Sequence, residues 1–188
     1  MKTDTLEALA VEVRSCHLCP LAKGRTNAVP GEGSGRSKIV LVGEAPGREE
    51  DLSGRPFVGR GGRVLRSALG SVGVASAQVY ISNVVKCRPP KNRLPTRSEI
   101  DICRGAYLSR EIELVDPDLV VLLGRTAARA LLGVDSLGSV RGKVVKMKGR
   151  RYLSAYHPAA VLRNPGLKGA FRRDLRKIRN ARAASNQT

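Results

Sequence analysis

The stretch Lys38-Ile39-Val40-Leu41-Val42-Gly43-Glu44-Ala45-Pro46-Gly47 decides the fold. Residues 39–42 are four consecutive branched apolar side chains, long enough for a strand and too short for a helix, and such a run must bury both of its faces. Gly43 and Pro46 punctuate its end. Residues 79–85 (Val-Tyr-Ile-Ser-Asn-Val-Val) and 119–123 (Leu-Val-Val-Leu-Leu) repeat the pattern between Gly, Asn or Asp-Pro boundaries. A fourth candidate strand, 152–156, is less apolar and runs into His157-Pro158. Helical patterns fall between them at 5–13, 62–69, 98–114 and 126–132, with a basic one at 169–184; Ser98 followed by Asp101 reads as a capping pair. Strands alternating with helices predict an α/β fold. The expected form is a three-layer α/β/α sandwich around a central, mainly parallel four-stranded sheet, with right-handed crossovers.

Ligands of such sheets collect outside the carboxyl ends of the strands. That rule singles out residues 43–47, then Asn83 and Cys87, then His157-Pro158, which are remote in sequence and delivered to one edge. The Gly-rich turn could cradle a phosphate, but no Lys-Ser/Thr pair follows it, so a nucleotide-triphosphate loop is not supported.

The chain has 188 residues, 41% of them hydrophobic, which predicts one domain over 1–188 with a packed core. Its 34 Lys and Arg against 16 Asp and Glu give a formal charge of +18. The cations recur throughout and are densest at 86–97 and 172–182, the footprint of a polyanionic partner; a merely solvated surface is the bland alternative. No apolar run approaches the roughly 20 residues needed to span a bilayer. The opening MKTDTLEALA is polar rather than a signal peptide, so a cytoplasmic protein without a membrane partner is expected.

Four cysteines stand as Cys16-x-x-Cys19 and, far along, Cys87 and Cys103. A four-thiolate site would staple the N-terminus to the middle of the fold, and spacing alone leaves zinc and iron–sulfur both open. Disulfides are the weaker alternative, because a chain this long can build a core without them.

The motifs Cys16-His-Leu-Cys-Pro-Leu21, Asn27-Ala-Val-Pro-Gly-Glu-Gly33, Gly43-Glu-Ala-Pro-Gly47, Arg55-Pro-Phe-Val-Gly59, Asn83-Val-Val-Lys-Cys-Arg-Pro-Pro90 and His157-Pro-Ala-Ala160 occur together and in order. In this the chain resembles the uracil-DNA glycosylase superfamily, and most closely its family 4, the iron–sulfur enzymes. The resemblance implies a [4Fe-4S] cluster on Cys16, Cys19, Cys87 and Cys103. It implies a monofunctional, monomeric DNA repair enzyme that flips deoxyuridine out of single- or double-stranded DNA, hydrolyses its N-glycosidic bond and leaves an abasic site. A non-catalytic iron–sulfur DNA-binding protein and a glycosylase of wider deaminated-base specificity are the alternatives.

By the same resemblance, Phe57 stacks on the flipped base, although an isolated Phe is ordinarily core. Asn83 reads uracil O4 and N3–H through its carboxamide, against the alternative of a turn-making Asn. His157 stabilises negative charge on O2, whereas His17 between two cysteines reads as structural. Gly43 and Ala45 let backbone approach the base. Ala45 occupies the place where family 1 enzymes carry a catalytic Asp, and a methyl group cannot orient water. The carboxylates nearby are Glu44, Glu49, Glu50 and Asp51; the resemblance points to Glu44 and Glu50, and an acidic helix N-terminus is the alternative for the last three. Lys86, Arg88, Lys91 and Arg93 are expected to clamp phosphates. Leu162 is the expected wedge in the vacated stack, with helix packing as its alternative, and Arg163 an adjoining cation.

Overall fold

A computed structural model describes residues 4–185, with side chains described to 179 except that of Ser76. Helix α1 (Leu6–Arg14) is capped by the Thr5 hydroxyl, which accepts from the Ala8 N–H. Strand β1 (Ile39–Gly43) is followed by α2 (Arg48–Ser53) and α3 (Arg60–Ser71), then β2 (Val79–Asn83). Next come α4 (Arg97–Cys103), a π-helical turn at Arg104–Leu108 and α5 (Ser109–Val115). After them run β3 (Leu119–Leu123), α6 (Arg125–Leu132), α7 (Leu137–Val140), β4 (Val144–Met147), β5 (Arg150–Ala155), α8 (Pro158–Arg163) and α9 (Lys168–Ser185).

The strand order is β2-β1-β3-β5-β4. Four strands are parallel, in register Ile39↔Val79, Ile39↔Leu119 and Val120↔Tyr152. The expected four-stranded sheet thus carries a fifth, antiparallel edge strand, β4, paired Val144↔Leu153 through Met147↔Arg150. Its residues alternate between exposed and half-buried, and Lys148 and Gly149 close the hairpin with positive φ (48° and 77°). A strand with one wet face lacks the continuous apolar run that marks β1, β2 and β3, which is why the sequence pattern passes over it.

Side chains of β1 alternate between two cores. Val40 and Val42 pack with Leu9, Val13, Leu108 and Ile112 on one face; Ile39 and Leu41 pack with Leu65, Leu69, Phe171 and Leu175 on the other. The helices supply these at spacings of three and four, as in Leu65, Ala68 and Leu69 of α3 and Phe171, Leu175 and Ile178 of α9. The three-layer α/β/α sandwich follows from this two-sided burial. Thr96 and Glu99 form the capping box of α4, two residues before the expected Ser98 and Asp101, because Glu99 is also pinned by Arg93 at 2.7 and 2.9 Å. Among the described residues no helix is long and apolar enough to cross a membrane.

Candidate active site

Strands β1, β2, β3 and β5 end on the same side of the sheet, and a cavity of about 810 Å³ opens there. Of the residues singled out in the sequence, Glu44, Ala45, Glu50, Phe57, Asn83, Arg93, His157, Leu162 and Arg163 line it. Gly43 lies behind two of these lining residues. A Cβ at that position would stand 2.4 Å from Asn83 Oδ1 and 2.5 Å from Phe57 Cζ, so a side chain there would occupy the place where these two residues meet.

Asn83 is the last residue of β2 and is 2% exposed. Its Oδ1 is buried and has no hydrogen-bond partner among the described residues. An orphaned carboxamide oxygen at a cavity marks a place where a ligand completes the pairing. Phe57 faces it from the loop between α2 and α3. Its φ of 54° is a left-handed conformation that a bulky side chain adopts only under constraint. The constraints are visible. Gly62 lets the start of α3 approach so closely that a Cβ there would fall 1.7 Å from the Phe57 carbonyl oxygen, and Arg66 Nη2 donates to that oxygen at 3.1 Å.

Glu50 supplies a further clamp. Its two carboxylate oxygens accept the N–H groups of Gly47 (3.0 Å) and Gly59 (2.8 Å), tying the Phe57 loop back to the start of α2. Asp51 is likewise spent on structure, accepting from the Thr26 and Asn27 N–H groups at 2.9 and 3.3 Å. Glu44 is different: its Oε2 accepts from the Thr126 hydroxyl on the first turn of α6, and it borders the cavity. Thr126 carried no sequence signal, since only the fold brings α6 beside the end of β1. Asn92, Leu94, Arg125 and Tyr156 are other cavity residues that the sequence reading did not single out.

His157 caps α8, its Nδ1 accepting the Ala159 N–H at 3.1 Å. Accepting there places the ring proton of the neutral imidazole on Nε2, which leaves that nitrogen as a donor. Burial, reinforced by the nearby Arg163 cation, lowers its pKa to about 4. The ring lies 6.1 Å from that of Phe57, centroid to centroid, at 36°.

Around the rim the expected cations separate into two kinds. Lys91 is exposed, Arg163 borders the cavity, and Arg88 donates to Asn92 Oδ1 at 2.7 Å. Arg93 is held in a two-pronged pair with Glu99. Lys86, expected on DNA phosphates, is corrected by the structure: it is 1% exposed and its ammonium is paired with Glu111 at 2.6 Å inside the protein. The preceding apolar strand carries it into the core. Leu162 on α8 is 41% exposed, and Leu94, 55% exposed, lines the same cavity.

The four cysteines are free thiols, so none is committed to a disulfide. Cys16 and Cys19 follow α1, Cys87 lies four residues past β2, and Cys103 ends α4 where the π-helical turn begins. N–H groups point at three of the sulfurs: Leu18 N to Cys16 Sγ (3.4 Å), Arg25 Nη1 to Cys87 Sγ (3.0 Å) and Lys86 N to Cys103 Sγ (3.3 Å). Donors of this kind suit thiolates that ligate a metal centre. Among the described residues no three His, Cys, Asp or Glu are grouped so as to hold a single metal ion. Burial raises the Cys87 thiol and pushes Cys103 up to about 12, while Arg25 opposes the shift at Cys87 and Lys86 at Cys103.

Residues 30–179 match the Uracil DNA glycosylase superfamily. The type-4 uracil-DNA glycosylase of Archaeoglobus fulgidus is 44% identical over 184 residues, covering 93% of this chain and 92% of that protein. The type-4 uracil-DNA glycosylase of Pyrobaculum aerophilum is 45% identical over 181 residues, 90% and 91% of the two chains. The crystal structure of SMUG2 from Pedobacter heparinus shares the fold at 16% identity, with a TM-score of 0.51 over 81% of this chain and 77% of that one.

Proposed function

We propose, for a chain that belongs to the uracil DNA glycosylase superfamily, that it is a monofunctional uracil-DNA glycosylase. It takes deoxyuridine flipped from DNA, hydrolyses the bond between C1′ and N1, and leaves free uracil and an abasic site. The observation that carries this reading is the buried carboxamide oxygen of Asn83, without a partner among the described residues, beside Gly43 and Phe57. Uracil offers an N3–H donor and an O4 acceptor side by side, which complement the two ends of a carboxamide; cytosine reverses the pattern. Phe57 provides the stacking face, and Gly43 and Ala45 admit the base edge.

As the glycosidic bond breaks, its electron pair moves onto the base and spreads to O2. The Nε2–H of His157 hydrogen-bonds that oxygen without having to transfer a proton. Glu44, steadied by Thr126, orients the attacking water and offsets the positive charge on the sugar. Glu50 serves the reaction indirectly, holding the Phe57 loop. Lys91, Arg88 and Arg163 meet phosphates, and Leu162 fills the stack. The chain works as one domain and as a monomer in the cytoplasm, on single- or double-stranded DNA.

Cys16, Cys19, Cys87 and Cys103 would hold a [4Fe-4S] cluster, a group suited by four free thiols with N–H donors on three of the sulfurs. When bound it supplies a cross-link between the N-terminal segment and the loop after β2, and the hydrolysis needs no electron from it. The deciding experiment is a time course on a labelled oligonucleotide with one deoxyuridine, resolved with and without alkali, beside cytosine, thymine and hypoxanthine controls. Strand cleavage confined to uracil and to alkali treatment is expected. Binding without cleavage would favour a non-catalytic DNA-binding protein, and cleavage of the hypoxanthine control a wider specificity.

A further inference from the structure

The ion pair of Lys86 and Glu111 touches neither DNA nor base in the mechanism above, yet it ends on the residue that reads the base. Each partner is 1% exposed. The Lys86 ammonium uses all three of its donors, on Glu111 Oε2 (2.6 Å), Ser82 Oγ (2.5 Å) and the backbone oxygen of Asn83 (2.9 Å). Glu111 is equally engaged: Oε2 also accepts from the Ser82 hydroxyl (2.6 Å), Oε1 accepts from the Gly31 N–H (2.9 Å), and the Tyr80 hydroxyl bonds to the same carboxylate.

A charge pair taken fully out of water is a poor way to gain stability, because desolvation consumes most of the attraction and an apolar pair of the same volume serves as well or better. Its location offers a better account. The ladder between β1 and β2 ends at Gly43↔Asn83, and it is at this strand end that the Lys86 ammonium takes the Asn83 carbonyl. The side-chain oxygen of that same residue, which lines the cavity, has no hydrogen-bond partner among the described residues. The far end of the segment is fixed too, by the Lys86 N–H on Cys103 Sγ.

We propose that Lys86 and Glu111 are positioning residues for base recognition: the buried pair anchors the Asn83 peptide so that its carboxamide keeps the orientation that selects uracil. The proposal rests on Asn83 being the base reader. Lys86→Met alone would strand the Glu111 charge and unfold part of the population, so the informative protein is the double variant Lys86→Met with Glu111→Gln, which removes both charges at nearly constant volume. It is compared with wild type, Asn83→Ala and the triple variant in single-turnover excision of deoxyuridine, with melting temperature and affinity for DNA measured alongside.

The double variant is expected to fold, to bind DNA within twofold of wild type, and to excise uracil at least tenfold more slowly. On the Asn83→Ala background the same two changes should slow excision by less than twofold, since the pair acts through Asn83. A double variant as fast as wild type, or an equal slowing on both backgrounds, overturns the proposal. The Asn83 side-chain amide resonances, assigned by their loss in Asn83→Ala, give a second readout that needs no catalysis. They should shift and broaden in the double variant, and unchanged resonances would overturn the inference. Inactive wild-type protein would count against the reaction assigned above, and the amide spectrum would still decide the role of the pair.

Discussion

A neutral imidazole at position 157 follows from two local facts, the Ala159 N–H on Nδ1 and the burial that lowers its pKa to about 4. Because the folded protein resists protonating this ring, the unfolded chain binds more protons between pH 6.5 and 4, and stability falls as pH drops through that window. The full effect is at most about 3 kcal/mol, reduced by the ring's partial exposure. Activity follows the same logic. The excision rate should show no limb near pH 6.5, and a limb there that disappears in His157→Gln would contradict the neutral-donor role. The carboxylates separate in a parallel way. Glu44→Gln should lower the chemical step by roughly 10²-fold or more with melting unchanged, whereas Glu50→Gln should lower the melting temperature and weaken uracil binding through the Phe57 loop. Single-turnover rates beside thermal melts distinguish them. The sequence offered both residues on equal terms, because proximity to a motif carries no information on which oxygen is already occupied. The two Gly N–H groups that consume Glu50 come from residues 47 and 59, a pairing that exists only after the loop folds.

The segment between β2 and α4 shows the same limit at the level of an element. Its charge and prolines are plain in the sequence, and a rigid basic loop was the natural expectation. Rigidity comes, however, from spending some of that charge: Lys86 goes to Glu111 and Arg93 to Glu99. Arg93, by its two hydrogen bonds, holds the Glu99 carboxyl down to about 2; that contribution to stability is present above pH 4.5 and is lost as pH falls through 2. Lys91→Ala should therefore reduce the slope of log affinity against log salt by about 0.9 on duplex DNA. Arg93→Ala should leave that slope nearly unchanged and instead lower the melting temperature and speed amide exchange in residues 88–95. Equal losses of slope in the two variants would return Arg93 to the phosphates. The β4 hairpin was illegible for a related reason. Val144 and Val145 are an apolar run of only two, and a single glycine at the turn is a weak signal beside the longer apolar runs of β1, β2 and β3.

Across the whole molecule the sheet carries stability by its own packing, and a cluster on the four thiols would add to it at the N-terminal segment. The parallel strands are buried on both faces by two cores, a pattern that the apolar runs announced, so the sheet should hold together by packing alone. Among the described residues, the segment between α1 and β1 has no regular element longer than one short turn to pack. Residues 15–25 follow a nine-residue helix, and their ties to the body include the Arg25 guanidinium on Cys87, a hydrogen bond between Tyr107 and Cys16, and apolar packing through Leu21, Cys16 and Cys19. Four thiolates around one cluster would add to these contacts a cross-link spanning residues 16 to 103. The cysteines are readable as a set from spacing, but their stake in one segment is not, because it depends on which other contacts that segment makes once folded. Loss of the cluster by oxidation and chelation should then release residues 15–25 and 86–95 to fast amide exchange, while β1, β3 and β5 stay protected. Binding to duplex DNA should weaken with the loop, since Lys91 and Arg88 are displayed by it. Global unfolding on cluster removal, with the central strands exchanging as fast as the N-terminal segment, would instead make the metal centre part of the folding core.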